Sequence, residues 1–266
     1  MAGLNEYLDK ISFIKVLLFF LLAILLITLF DLVFDVVMGD LIFKLVLYSL
    51  MLVFFIYKLN SVKIDDSSWV DALKESCHSL FLKNHFYHIC FIILANILFV
   101  AFIFFCLKYL SFLGYLSFDS YLFGDLSQFN PLVILIYFIS IVLLSPIVEE
   151  ILFRGFFLRR FCMEFGMTVG ILLSSVLFGL CHSFGGILGA ILFGICVSIL
   201  YIKSNNIMVP IFAHFLNNLL SFLLGFTRLE FFVNSNLQVC LIVALAVITN
   251  VYLFASIIRE WPKSFK

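Results

Sequence analysis

Charge is what this sequence has least of. Only 12% of the 266 residues are Asp, Glu, Lys or Arg, and the formal net charge is zero. A soluble domain usually carries roughly 25% charged residues, so the chain has too little polar surface for an ordinary globular protein. A balanced charge offers no basic face and excludes nucleic acid as an expected partner. With 65% hydrophobic residues, the composition indicates an integral membrane protein.

Paired or clustered cysteines are also lacking. The chain has 7 cysteines, an odd number, and none of them form a CxxC pair. Most lie in apolar stretches, where they serve as small hydrophobic side chains. The pattern excludes a disulfide framework and a cysteine zinc cluster as expectations.

Long apolar runs predict an all-α, polytopic bundle of about eight transmembrane helices, because one span needs about 20 apolar residues. The first run lacks a small-residue cleavage site and is interpreted as a retained helix. The polar loop 58–88 carries a weak apolar stripe at helical spacing, which predicts an interfacial helix. No linker or repeat divides the chain, so we expect a single transmembrane domain, 1–266. The spans are expected at about residues 13–30, 41–59, 89–110, 131–162, 168–184, 187–203, 207–225 and 237–258.

The distribution of Lys and Arg predicts the orientation of these spans. If both termini lie on the same side, that side receives all but Lys44, Lys108 and Arg228 of the 16 Lys and Arg residues. Such a bias is typical of cytoplasmic loops. We therefore predict cytoplasmic N- and C-termini, in the plasma (inner) membrane if the source is bacterial.

Ionisable side chains stand inside the fourth run, in the sequence "PIVEEILFRG" (146–155). Each would cost roughly 2.5–3.5 kcal/mol at the bilayer centre, so Glu149, Glu150 and Arg154 must face the bundle interior or a wet cavity. On a helix, Glu150 and Arg154 lie within about 40° of each other, whereas Glu149 points about 100° away from Glu150. We therefore expect an ion pair between Glu150 and Arg154, and a different partner for Glu149.

Two later stretches supply candidates for that partner. "SVLFGLCHS" (175–183) carries His182 four residues after Phe178, and "IFAHFLNNLL" (211–220) carries Asn218 four residues after His214. At 1.5 Å per residue, His182 reaches the height of Glu149. The same rise places His214 and Asn218 some 10 Å shallower, a difference that a fourth helix projecting beyond the bilayer could absorb.

These side-chain types suit water activation. A carboxylate and an imidazole can share the proton taken from water. A second imidazole and a carboxamide can donate hydrogen bonds to the oxyanion of a tetrahedral intermediate. The set permits peptide hydrolysis without a cofactor, and it could equally hold a divalent metal such as zinc.

In their order and spacing, "EEILFR" (149–154), "FGLCH" (178–182) and "HFLNN" (214–218) resemble the motifs EExxxR, FxxxH and HxxxN. These motifs belong to the CPBP family of intramembrane proteases, also called Abi, which comprises CAAX prenyl proteases and bacteriocin-processing proteins. The resemblance covers about residues 130–220, which would form the catalytic core. It implies an endopeptidase that cleaves a membrane-associated or lipid-modified peptide or protein.

The resemblance also implies roles for the residues. Glu149 would be the general base, with His182 helping to activate the water, and His214 and Asn218 would stabilise the oxyanion. Glu150 and Arg154 would be structural or substrate-orienting. A metal-free mechanism is favoured because no dense ligand set such as HExxH is present. If a metal is bound, its ligands would be Glu149, His182, His214 and Asn218.

Two other classes of function compete with this hypothesis. In a non-catalytic membrane scaffold or a bacteriocin self-immunity protein, the same polar cluster would only hold helices together. A transporter could use intramembrane Glu and His in a proton relay, but the inverted repeats and broken helices typical of transporters are not evident. Under the protease hypothesis we expect cleavage near the cytoplasmic face of the membrane.

Overall fold

The computed structural model describes residues 4–34, 39–64, 68–82, 86–115, 117, 126–183, 186–227 and 236–263. Ten helices in these ranges build the bundle. They are α1 (Leu4–Asp9), α2 (Phe13–Phe34), α3 (Asp40–Ser61), α4 (Trp69–Leu82), α5 (Phe86–Phe112), α6 (Pro131–Phe165), α7 (Met167–Leu180), α8 (Ile187–Ser204), α9 (Met208–Leu224) and α10 (Asn236–Glu260).

A helix stands at each of the eight predicted spans. Six of them, α2, α3, α5, α6, α8 and α10, are long and apolar enough to cross a membrane. The other two, α7 and α9, are apolar but shorter. Large hydrophobic side chains remain exposed along the outer helices, as lipid contact requires. The prediction of an all-α, multi-pass integral membrane protein is confirmed.

α6 carries the acidic motif and is not a regular α-helix throughout. Two π-helical segments, Phe138–Leu144 and Ile151–Leu158, flank the α-helical stretch Ser145–Glu150, which carries both glutamates. In the first segment, the Ser145 N–H bonds to the Ser140 carbonyl, five residues back. The next residue is Pro146, which has no N–H. In the π register, the N–H of residue 146 would donate to the Ile141 carbonyl, so this carbonyl is left without a backbone donor.

Both ends of the chain gather at one end of the bundle. The Asn5 amide of α1 donates to the Asn205 carbonyl in the turn between α8 and α9, at 2.8 Å. Trp261, just after α10, donates its indole N–H to Thr168 at the start of α7, at 3.1 Å. α4, the helix found within the loop 58–88, also packs on α1. The described residues nearest the two termini thus lie at one end of the bundle, whereas the cytoplasmic orientation of the termini and the interfacial position of α4 stay predictions.

Glycines allow the helices that frame the site to approach closely. Gly166 has φ of 83° and forms the turn between α6 and α7, a conformation that favours glycine. Gly194 lies where α8 crosses α7. A Cβ atom there would lie 3.1 Å from the Cβ of Ser175, so even an alanine requires Ser175 to shift by a few tenths of an ångström.

Candidate active site

Glu150 and Arg154 form the predicted ion pair. Arg154 Nη1 donates to Glu150 Oε1 at 2.9 Å, and both side chains are completely buried. Arg154 Nη2 donates to the Gly194 carbonyl of α8 at 3.2 Å. The guanidinium also lies 4.5 Å from the centre of the Phe178 ring of α7, a cation–π contact. Arg154 therefore joins α6 to two other helices.

His214 extends this network to α9. Its Nδ1 lies 2.7 Å from Glu150 Oε1, and the residue is only 3% exposed. An ionised carboxylate can only accept hydrogen bonds, so Nδ1 carries a hydrogen and donates it. The imidazole packs edge-on against the rings of Phe178 and Phe193, each with 5.6 Å between ring centres.

The contact between His214 and Glu150 contradicts one prediction from the sequence. Taken alone, the helical rise places His214 some 10 Å shallower than the acids, and the contact shows that this difference does not exist. The estimate treats the turns at Gly166 and Asn205 as equally deep. Because the two side chains touch, the turn at Gly166 must extend about 10 Å further along the bundle axis. The length of α6, 35 residues, allows that projection.

Glu149 points to a different helix from Glu150, as the sequence predicts. Its Oε1 accepts hydrogen bonds from the Tyr48 hydroxyl of α3 and from Ser145 Oγ, the latter at 2.7 Å. Its Oε2 is buried and has no hydrogen-bond partner among the residues that the structure describes. One oxygen is thus held by two donors, and the other can accept a proton or a hydrogen bond.

His182 lies outside the helix in which the sequence places it. α7 ends at Leu180, and His182 follows in the turn beyond it. Its Nδ1 lies 2.9 Å from the Phe178 carbonyl, which also accepts the Cys181 N–H at 3.2 Å at the end of the helix. A carbonyl can only accept, so Nδ1 donates and Nε2 of the neutral ring keeps its lone pair. Glu149 interacts electrostatically with this ring.

Asn218 is held by the irregular part of α6. Its Nδ2 donates to the Ile141 carbonyl at 2.9 Å, the carbonyl that Pro146 leaves without a backbone donor. Its Oδ1 accepts a long hydrogen bond of 3.5 Å from Asn217 Nδ2. A carboxamide nitrogen carries two hydrogens, so the bond to Ile141 occupies one of them.

Tyr48 and Ser145 are functional candidates that sequence reasoning missed. Ser145 stands one helical turn before Glu149, and an i, i+4 rule applied to the serine could have found it. Tyr48 lies in another helix about a hundred residues earlier, and no local pattern connects it to Glu149. Lys44, one turn before Tyr48, interacts electrostatically with His182. The sequence predicts only that this lysine lies on the outer side of the membrane.

Tyr48 also gives the depth of the acidic motif. It lies about 12 Å from the start of α3 at Asp40 and about 20 Å from the end at Ser61. Asp40 is at the end of the bundle opposite the two termini. If the termini are cytoplasmic, the acids lie further from the cytoplasmic face than from the outer one. This geometry does not favour the expectation of cleavage near the cytoplasmic face.

The zinc alternative needs several ligands that converge on one point. In the described ranges, no group of three or more His, Cys, Asp or Glu side chains is arranged so that it could hold a metal ion. Glu149, His182, His214 and Asn218 stay a predicted ligand set, and the mechanism proposed below uses these side chains without a metal.

These features define a multi-pass membrane protein with a partly buried cluster of acids and imidazoles on α6, on α9 and in the turn after α7. Residues 131–220, which hold these acids and imidazoles but not Tyr48 and Lys44, match the type II CAAX prenyl endopeptidase Rce1-like family. The match confirms the family resemblance of the three motifs, and the coarse activity that this family implies is that of a peptidase. No curated protein and no solved structure matches the chain.

Proposed function

We propose that the chain is an intramembrane endopeptidase of the CAAX protease type. It hydrolyses a peptide bond in a membrane-associated or lipid-modified peptide or protein. The observation that carries this proposal is the asymmetry of Glu149. Hydroxyls hold its Oε1, while its Oε2 is buried and has no partner among the described residues.

In this mechanism one water molecule binds between Glu149 Oε2 and His182 Nε2, the two acceptors that the neighbouring hydrogen bonds leave free. Glu149 takes a proton while the water oxygen bonds to the carbonyl carbon of the substrate, and His182 accepts a hydrogen bond from the second proton. The carbonyl oxygen becomes an oxyanion. The proton then passes from Glu149 to the amide nitrogen, the C–N bond breaks, and a carboxyl and an amine product leave.

His214 and Asn218 stabilise the oxyanion. His214 donates Nδ1–H to Glu150, and an imidazolium at this position also has Nε2–H to donate to the substrate. Two carboxylates, Glu149 and Glu150, are then balanced by Arg154 and His214, as buried charges require. The second hydrogen of Asn218 Nδ2 completes the pair of donors. Removing one donor of this type typically slows the reaction about 10²–10³-fold.

The proposal is tested with Glu149→Gln in purified protein. The probe is a fluorogenic peptide whose last three residues, after a farnesylated cysteine, carry the quencher; a membrane-anchored version without farnesyl is tested in parallel. We expect cleavage to fall at least about 10²-fold while folding is retained. Glu164→Gln is the matched control, because Glu164 lies on the same helix, is 49% exposed and pairs with Arg160. Full activity of Glu149→Gln, or no cleavage of either probe by the wild type, rejects the proposal.

A chelator tests the metal-free part of the mechanism. We expect activity to persist after chelation and dialysis. Stoichiometric zinc in the purified protein, with activity lost to the chelator and restored by the metal, would require a metalloprotease mechanism in place of the metal-free one.

A non-catalytic scaffold or self-immunity protein is the second candidate. The observation that favours it is the buried network of Arg154, which joins α6 to α7 and α8. Under that function, Glu149→Ala lowers the amount of folded protein but leaves the cellular phenotype intact once protein levels are matched. Under the proposed function, the phenotype is lost at matched levels.

We further propose that both termini are cytoplasmic. The excess of Lys and Arg on their side supports this orientation. A C-terminal green fluorescent protein fusion should then fluoresce, and a C-terminal alkaline phosphatase fusion should be inactive. The reverse result would place the acidic motif nearer the cytoplasmic face.

A further inference from the structure

A tyrosine from outside the family-matched region contacts the proposed general base. Tyr48 lies on α3, whereas the match begins at residue 131. Its side chain is buried, with 9% of the residue exposed, and its hydroxyl donates to Glu149 Oε1. The hydroxyl of a buried tyrosine needs a hydrogen-bond partner, and the carboxylate supplies it.

The two donors to Glu149 come from different helices. Ser145 is four residues before Glu149 on α6, so its hydrogen bond is local and moves with the helix. Tyr48 reaches the same oxygen from α3, which packs against α6 at this level. A bond to a second helix fixes the carboxylate relative to the rest of the bundle, which the local bond cannot do.

Both donors converge on Oε1, and none of the described residues donates to Oε2. A carboxylate held in this way presents a chosen oxygen in a chosen direction. A general base must lie within hydrogen-bond reach of the proton that it takes, and small displacements are costly to the rate. The tyrosine hydroxyl can therefore orient the free oxygen, Oε2 of Glu149.

We propose that Tyr48 is a positioning residue for Glu149, an inference that rests on the proposed function. Tyr48 does not touch the substrate. It holds Oε1 so that Oε2 faces the attacking water. It follows that α3, although outside residues 131–220, is part of the catalytic unit.

Tyr48→Phe tests the proposal, because it removes one oxygen atom and keeps the ring. We expect kcat to fall about 10–100-fold, the range found when hydrogen-bond partners of metal-binding side chains are removed, with KM and thermal stability nearly unchanged. Tyr57→Phe is the matched control, on the same helix but 63% exposed, and should leave kcat unchanged. A purely structural role would lower stability without this selective loss of kcat. An unchanged kcat overturns the proposal.

An infrared measurement that needs no substrate provides the second test. The carboxylate band of Glu149 is obtained as the difference between the wild-type spectrum and that of Glu149→Gln. Tyr48→Phe should shift this band, because one oxygen loses a donor, and Tyr57→Phe should not. If the band stays in place, Tyr48 does not hold Glu149.

The two tests separate this inference from the proposed function. If Glu149→Gln is active, the proposed function fails whatever Tyr48→Phe does. If Glu149→Gln is inactive while Tyr48→Phe keeps its full kcat, only the positioning role fails. If the wild type cleaves neither probe, the proposed function fails, and the infrared band still tests whether Tyr48 holds Glu149.

Discussion

Replacing Arg154 by Met should be among the most damaging single changes in this chain. Arg154 is completely buried, pairs with Glu150 at 2.9 Å and donates to the Gly194 carbonyl at 3.2 Å. The methionine fills much of the space but leaves a buried carboxylate without its cation. Breaking a buried pair in this way costs about 3–5 kcal/mol, a large part of the roughly 5–15 kcal/mol that separates folded from unfolded proteins.

The measurement is an unfolding titration with SDS in mixed micelles, and the chain offers a close control. Arg160 lies on the same helix and pairs with Glu164 at 2.8 Å, also four residues apart, but both side chains are about half exposed. Arg160→Met should therefore cost no more than about 1 kcal/mol.

A second variant separates the charge effect from lost packing. In Glu150→Gln/Arg154→Met the uncompensated charge is gone, and the carboxamide oxygen introduced at position 150 can still accept from His214. Most of the stability lost in Arg154→Met should return. The reasoning is refuted if Arg154→Met costs no more than Arg160→Met, or if the double variant is no more stable than the single one.

Two further predictions concern the helices around the site. Gly194→Ala should destabilise the fold by about 1–3 kcal/mol through overpacking against Ser175. Gly39→Ala, which meets nothing within 4 Å, should be close to neutral in the same titration. Equal effects of the two variants would contradict the close approach of α7 and α8. The second prediction uses Pro146→Ala, which supplies a backbone N–H next to the Ile141 carbonyl. Asn218→Ala should then lose less stability in the Pro146→Ala background than in the wild type. An undiminished loss would show that Pro146 does not create the role of Asn218.

The sequence predicts the helices well because the bilayer constrains them strongly. A span must be apolar over about 20 residues, and every predicted span contains a helix in the structure. The ion pair of Glu150 with Arg154 is predictable for a similar reason, since both residues lie on one helix and only its periodicity is needed.

Contacts between helices are less accessible to this reasoning. The contact of Tyr48 with Glu149 depends on the packing of α3 against α6, which no local pattern records. Hydropathy places His182 inside a helix because the apolar run continues beyond Leu180, whereas the backbone turns there and the imidazole caps the helix. The rise per residue misjudges the depth of His214, because it gives heights only relative to a turn. The turn at Gly166, before α7, and the turn at Asn205, after α8, lie at different depths.

The two π-helical segments of α6 have a consequence for how this chain can change. A π segment accommodates an additional residue in a helix. Deleting one residue between Phe138 and Leu144 would return this segment to α-helical geometry and keep Glu149 and Glu150 on nearly the same face of α6, because the wider π turn holds the extra residue. The backbone partners before Pro146 would change, and with them the carbonyl that Asn218 contacts. Length variation at this point would therefore be compatible with insertion into the membrane and would alter the site through Asn218.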